Sequence, residues 1–319
     1  MISAMNDLSN GSACNLCNHN EFQLVGEVPR LERRIVRCKK CGLVFVDPMN
    51  ESFLTLDFEN RQQRELKYHS MRRVAENAGK HDEHVINREE TVRTLHFKSR
   101  RDKIERYVNS GRLLDVGCGR GFFLLNFVGS HMDFFGVEPR KRISQEAQKR
   151  LGEDKVFCGT LKEAKFPDAY FDAVTLINLI EHLPCPRETL EEANRVMKND
   201  GLLLIETPNV ASFLPTILMT KWHAFLEPEH HYFFSKDTLT AMLKNTGFRV
   251  LRMSRGNKLF SIRYLLYRLS WYNKKIPLYL EKVLDGSGLL EKTVNIPQFD
   301  ELIIIAKKIG GPARNHKTR

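Results

Sequence analysis

From about residue 112 onward, short apolar runs recur between stretches with helical spacing. Leu113-Leu114-Asp115-Val116 reads as a strand, Gly117 to Gly121 as a glycine-rich turn, and Phe122 to Val128 as the start of a helix. Strands follow at Phe134 to Val137, Val156 to Cys158, Phe171 to Leu176 and Gly201 to Glu206, with helices over Lys141 to Leu151 and Arg187 to Met197. Alternation of this kind predicts a parallel sheet with helices on both faces, binding its ligand at the carboxyl ends of the strands. Phe248 to Ser254 and Asp300 to Lys307 fit two closing strands. Residues 49–110 are polar and helical in spacing, with Val92, Leu95, Phe97, Ile104, Tyr107 and Val108 set among charges. They are expected to link the N-terminus to the main domain and to cover part of its pocket. His69, His81, His84 and His96 in this stretch read as surface or packing residues.

The 319 residues suffice for one large α/β domain with a small appendage. No run of about 18 apolar residues is present, so no membrane span is expected. The first residues lack both the basic and the apolar stretch of an export signal, which predicts a cytoplasmic protein. The net charge of +11 is uneven. Residues 1–95 hold 14 basic and 14 acidic side chains, residues 96–256 hold 24 and 20, and residues 257–319 hold 12 and 5. The excess thus lies in the C-terminal fifth and not in the cysteine-rich N-terminus, which argues against a basic nucleic-acid grip there.

Four of the seven cysteines form two close pairs, Cys14-Asn-Leu-Cys17 and Cys38-Lys-Lys-Cys41, with 20 residues between them. Zn²⁺ takes four thiolates tetrahedrally, and two residues between partners let one tight turn present both sulfurs. Arg33 to Arg37 and Leu43 to Val46 read as a hairpin beside the second pair, so residues 1–48 resemble a zinc ribbon. Four sulfur ligands leave no open coordination position, which makes the expected metal structural.

The glycine turn carries the most specific chemistry. A dinucleotide-binding turn reads GxGxxG with an acid about 20 residues on. Here the spacing is GxGxG, and Asp115 stands two residues before the first glycine, where it would repel a pyrophosphate. DVGCGRG, followed by Glu138 in FFGVEP, resembles motifs I and II of class I S-adenosylmethionine (SAM)-dependent methyltransferases. The resemblance implies a Rossmann-like, seven-stranded, mostly parallel sheet over residues 111–309, its last two strands an antiparallel pair. It further implies that Gly117, Gly119 and Gly121 wrap the methionine and ribose of SAM and that Glu138 accepts from both ribose hydroxyls. Phe171 to Pro184 resembles the fourth strand of that family and its loop, with Asn178 beside the methionine part. The adenine would lie at Gly159-Thr160-Leu161, where the acid common in the family is missing, so Thr160, Leu161 or backbone groups must serve.

Glu181-His182 is similar to a pair that can hold a divalent cation in quinone-precursor O-methyltransferases. Asn178 stands where a further carboxylate would be needed, so His182 is equally read as shaping the cofactor loop. Pro228 to Ser235, PEHHYFFS, resembles a PEHxHFFS run in methyltransferases of sugar, polysaccharide and quinone pathways, with Tyr232 at the second histidine. Ser235 is expected to cap the next helix. His230 and His231 lie where an acceptor would approach, and either could take the proton of an attacking hydroxyl. Residues 256–298 form a long insertion of interleaved Leu, Ile, Arg and Lys. An amphipathic helix packed on the sheet is the simplest reading, beside a lid, a dimer contact or a membrane-surface helix. Residues 310–319 read as a disordered tail.

The sequence thus predicts methyl transfer to oxygen, nitrogen or carbon of a small molecule, a sugar or glycan precursor being favoured. Two alternatives are an RNA methyltransferase that grips RNA with the ribbon, and a SAM-binding scaffold without turnover.

Overall fold

A computed structural model describes residues 7–8, 13–47, 94, 97–270, 275–290 and 292–311. The four histidines between 69 and 96 and the tail from 312 lie outside these residues, as does the expected helical cover from 49 to 96 apart from Thr94.

Seven strands form the main sheet: β5 (Gly111–Val116), β6 (Met132–Val137), β7 (Val156–Phe157), β8 (Phe171–Ile177), β9 (Met197–Pro208), β11 (Phe248–Ser261) and β12 (Thr293–Lys308). Their order is β11-β12-β9-β8-β5-β6-β7. The five from β9 to β7 run parallel, while β12 is antiparallel to both β9 and β11. The chain runs outward from β5 through β6 to β7, then returns to β8 on the other side of β5. The crevice beyond the carboxyl end of β5 is therefore the point where strand order reverses, the usual ligand position in an open α/β sheet. Buried Leu113, Leu114 and Val116 of β5 and Val174, Leu176, Leu203 and Ile205 of its neighbours show why these apolar runs pair centrally: both faces are covered. Helices α2 (Lys141–Leu151) and α3 (Pro186–Val196) supply part of that cover.

Phe122 to Val128 does not continue as an α-helix. Only a single 3-10 turn, Leu124–Phe127, forms. The Asn126 amide donates to the carbonyls of Phe122 and Phe123, competing with helical bonding, and Gly129 with φ 75° ends the segment. Phe122, Phe123, Leu124 and Phe127 bury the turn directly.

The closing strands outrun the expectation. β11 and β12 stay paired out to Ser261 opposite Thr293, with register shifts at Val250/Arg252 and Ser254/Gly256. Two helices, α7 (Ile262–Ser270) and α8 (Lys275–Leu284), fill the connection at the tip of this ribbon. The insertion is thus a β-ribbon crowned by a helical hairpin, not one helix laid on the sheet.

At the N-terminus β1 (Asp7–Leu8), β2 (Phe22–Val28), β3 (Arg33–Cys38) and β4 (Val44–Asp47) make an antiparallel sheet, with the expected β3–β4 hairpin in register Arg37 to Val44. A fifth strand comes from the C-terminal half of the chain: β10 (Tyr232–Phe233) pairs with Val44 and Phe45. Cys14, Phe22 and Phe45 share one apolar cluster with Leu114, Leu176, Tyr232 and Phe234. The N-terminal module is therefore welded to the main domain through the segment that carries His230 and His231.

The helical stretch 97–105 (α1) packs Phe97 and Ile104 beneath the sheet. Its fully buried Arg100 grips Glu206 of β9 with two bonds, Nε donating at 2.7 Å, and a third donates to the Asn257 carbonyl at 2.7 Å.

Candidate active site

Gly117 and Cys118 donate their N–H groups to the Val137 carbonyl, at 2.8 and 3.0 Å, which fixes the turn against β6. Gly117, Gly119 and Gly121 all have positive φ, at 72°, 54° and 82°. A Cβ on Gly117 would collide with Leu179 Cδ1 at 2.8 Å and one on Gly121 with Leu151 Cδ1 at 2.6 Å. A Cβ on Gly119 would meet nothing within 4 Å. Gly117 and Gly121 thus serve the packing of the turn, while Gly119 borders open space that a ligand can fill.

Asp115 is buried and accepts from the Thr175 hydroxyl at 2.6 Å. Burial pushes its carboxyl up to about 7, against the lowering effect of the Thr175 bond, with nearby Glu138 adding a further push. The group is poised for a cationic ligand, which would favour its charged form. Glu138 follows β6 and closes the same turn: it accepts from Gly119 N at 3.0 Å, Arg140 N at 3.0 Å and Arg140 Nε at 2.8 Å.

In the loop after β7, Leu161 is buried and Thr160 is exposed. Thr160 donates both N–H and hydroxyl to Glu163 Oε2, each at 2.8 Å. These bonds hold the Glu163 carboxyl below its usual range. An acid three residues further on thus folds back over this loop and closes it on Thr160. The signal was available: Thr160-Leu-Lys-Glu163 is a capping-box spacing.

Asn178 takes a left-handed φ of 49° after β8 and donates its N–H to the Glu206 carbonyl at 2.8 Å. Glu181 is buried and accepts from the Thr207 hydroxyl at 2.9 Å, and its carbonyl accepts from His231 N at 2.8 Å. The rings of His182 and His230 meet edge to face with centroids 4.7 Å apart. His182 Nδ1 lies 3.0 Å from the Glu229 carbonyl and His230 Nδ1 3.0 Å from the Ala224 carbonyl. A carbonyl only accepts, so each Nδ1 is the donor, and in the neutral ring of His230 Nε2 keeps its lone pair. Burial first, and then the neighbouring His182, holds His230 well below its ordinary value, so it is neutral. Glu181, His182 and His230 each offer a ligand atom within 4.8 Å of the others, a set that could hold a metal ion. His231 is not part of this set. Its backbone is stitched between Glu181 and Val46, whose N–H donates to the His231 carbonyl at 2.9 Å. Tyr232 gives its hydroxyl to the Pro184 carbonyl at 3.1 Å and packs on Phe45, so it serves the core. Ser235 caps α6 (Lys236–Asn245) as expected, in a reciprocal box with Thr238.

Sequence reasoning missed Arg33. Its guanidinium, from β3, donates to the carbonyls of Phe225, Glu227 (2.6 Å), Pro228 (3.3 Å) and His230 (3.0 Å). One side chain thereby fastens the whole histidine loop to the N-terminal sheet across some 190 residues of sequence, a contact with no local signature.

The four cysteines converge. Cys14 and Cys41 sulfurs lie 3.5 Å apart, as do those of Cys17 and Cys38, and all four lie within 4.8 Å of one another. A tetrahedron with Zn–S of about 2.3 Å has sulfur–sulfur edges of about 3.8 Å. A disulfide needs about 2.05 Å, so the cluster fits a tetrahedral ion and not two bridges.

A doubly wound sheet with a glycine turn and paired acids at its switch point defines a protein that binds a nucleotide-like cofactor there. The methyltransferase domain family matches residues 80–253, more than half of the chain, and the chain belongs to it. It is a class I SAM-dependent methyltransferase by family. A probable S-adenosylmethionine-dependent methyltransferase of Mycobacterium tuberculosis is 28% identical over 136 residues, covering 43% of this chain and 48% of that protein. The demethylmenaquinone methyltransferase of Thermotoga maritima is 27% identical over 165 residues, covering 45% and 72%. A solved Bacillus subtilis protein, YcgJ, aligns with a TM-score of 0.49 at 20% identity, over 68% of this chain and 99% of that one. The match therefore spans about half the length of the mycobacterial relative.

Proposed function

We propose that this methyltransferase acts on a small acceptor with a phenol-type hydroxyl, a hydroquinone being the class best supported, held against Glu181, His182 and His230. The observation that carries this reading is His230: buried, neutral, with Nδ1 spent on a carbonyl and Nε2 left to accept. Bound SAM supplies an electrophilic methyl on a sulfonium with a good leaving group. The chain orients the acceptor in line and takes up its proton. A strongly depressed imidazole is a weak base. It suits a hydroxyl with a pKa of about 10, as in a phenol, and not an aliphatic hydroxyl, nearer about 16. A relative named for demethylmenaquinone supports the same class. The sugar or glycan precursor finds no support in these relatives.

Gly119 and Glu138 would hold the ribose side of SAM, with the ribose hydroxyls replacing the Arg140 guanidinium on Glu138. Asp115 would face the amino group. The cysteine cluster is proposed to bind one structural zinc, which stabilises the sheet on which β10 and the histidine loop rest. Arg33 is turned onto carbonyls and Arg34 pairs with Asp47 at 3.4 Å, so two of the basic groups of the ribbon face the protein and not an RNA.

The test is turnover with SAM on a panel of hydroquinones and sugars, comparing His230→Gln and His231→Ala. Methylated hydroquinone is expected, with kcat lowered by about 10²- to 10⁴-fold in His230→Gln and little changed in His231→Ala. Sugar methylation, or full activity in His230→Gln, would contradict the reading.

A further inference from the structure

The helical hairpin at the tip of the β11–β12 ribbon presents chemistry that the methyl-transfer site does not use. On α8, Ile276, Tyr279 and Val283 recur at i, i+3 and i+7, so they share one face, while Leu278 lies on another. All four face solvent, with 53, 68, 58 and 64% of their surface exposed respectively. An ordinary helix packed on a sheet buries such a stripe. Lys275 and Lys282 are exposed along its flank, and exposed Lys292 follows the hairpin. The acidic groups on and just after α8 are turned elsewhere: Glu281 accepts from Arg263 of α7 at 2.8 Å, and Asp285 lies 3.9 Å from the same guanidinium. The outward face is therefore apolar with a basic rim, and the hairpin is closed on its inner side by its own ion pairs. A second apolar patch, Phe213, Ile217 and Met219, is exposed on and just after α4 (Phe213–Leu218), which packs on β12, where Phe299 is exposed as well.

We propose that α8 docks this protein onto an anionic lipid surface, lying in the plane of the interface with its apolar stripe among the acyl chains and its lysines at the headgroups. Charge complementarity selects this occupant. Residues 257–319 carry 12 basic and 5 acidic side chains, which a surface of anionic headgroups matches. A two-fold contact between copies would bring the two basic rims, each with Lys275 and Lys282, into one interface, like charge beside like. A nucleic acid would accept the lysines but leave Ile276 and Val283 against phosphate. Among the described residues no helix is long and apolar enough to cross a membrane, so the contact is peripheral. This docking stands whatever acceptor the active site takes.

The test is co-sedimentation of the full chain with vesicles of phosphatidylcholine alone and with added phosphatidylserine, at low and high salt. Binding to the serine-containing vesicles is expected, weakening with salt. Lys275→Gln and Lys282→Gln should each lower partitioning about fivefold, and Ile276→Asp with Val283→Asp should abolish it. Both apolar positions are exposed, so that variant should keep wild-type circular dichroism, melting and SAM affinity. No vesicle binding by the wild type, or binding unaffected by the paired aspartates, would overturn the proposal. So would a wild-type dimer in sedimentation equilibrium that the paired aspartates convert to monomer.

Discussion

At Asp115 burial outweighs the Thr175 hydrogen bond, and the carboxyl sits near neutrality. A cationic ligand binds the ionised form, so SAM affinity should rise with pH from 6 to about 8, by up to about tenfold per unit below 7. Titration calorimetry across that range checks it, and Asp115→Asn should flatten the profile. The sign for stability is opposite. A folded pKa raised above the unfolded value near 3.8 means the native state holds the proton more tightly. This group therefore lowers stability progressively as pH rises from about 4 to about 7, and Asp115→Asn should be no less stable than wild type at pH 8. His230 supplies the companion prediction. Because its folded pKa lies well below 6.5, the acid limb of kcat should also lie below 6.5, and kcat at saturating SAM should be flat across neutrality.

Among the elements, two long-range cations decide how the site is framed. Arg100 is fully buried with Glu206, beneath the loop that carries Asn178, and no sequence spacing announced the pair. Arg100→Ala would strand a buried carboxylate and should cost about 3–5 kcal/mol in a denaturant melt. Arg33 fastens the histidine loop, where the acceptor is proposed to sit. Arg33→Ala should lower kcat/KM for the acceptor at least about tenfold, since small displacements of positioned groups are costly in catalysis, while leaving SAM affinity unchanged. Arg33→Lys should restore part of the loss. Metal analysis completes this scale: about one equivalent of zinc is expected, and less than half would remove the zinc proposal. Chelation should loosen β2 to β4 and, through β10, the histidine loop.

Across the whole molecule, the features legible in the sequence were those with a local period or a fixed spacing. The strands from β5 to β9, the glycine turn with Asp115 and Glu138, the Ser235 cap and the two cysteine pairs all belong to that class. What was not legible joins segments far apart. The fifth strand of the N-terminal sheet comes from Tyr232–Phe233, so the ribbon module is joined to the segment that carries His230 and His231. The paired reach of β11 and β12 to Ser261 and Thr293 likewise depends on cross-strand partners, which periodicity in one segment does not reveal. The turn at Leu124–Phe127 went the other way: apolar spacing suited a helix, but the Asn126 side chain and Gly129 diverted it.

A cofactor lies in the open space over Gly119 if the site works as proposed, and one titration tests that most directly. SAM binding is measured for wild type and Gly119→Ala. In the free protein the added Cβ meets nothing within 4 Å, so the folded state should lose only about 1–2 kcal/mol for the left-handed backbone. The account predicts that the variant remains folded yet binds SAM at least about tenfold more weakly, the methyl occupying ligand space. Undiminished SAM affinity in a folded Gly119→Ala protein, or no SAM binding by the wild type, would contradict it.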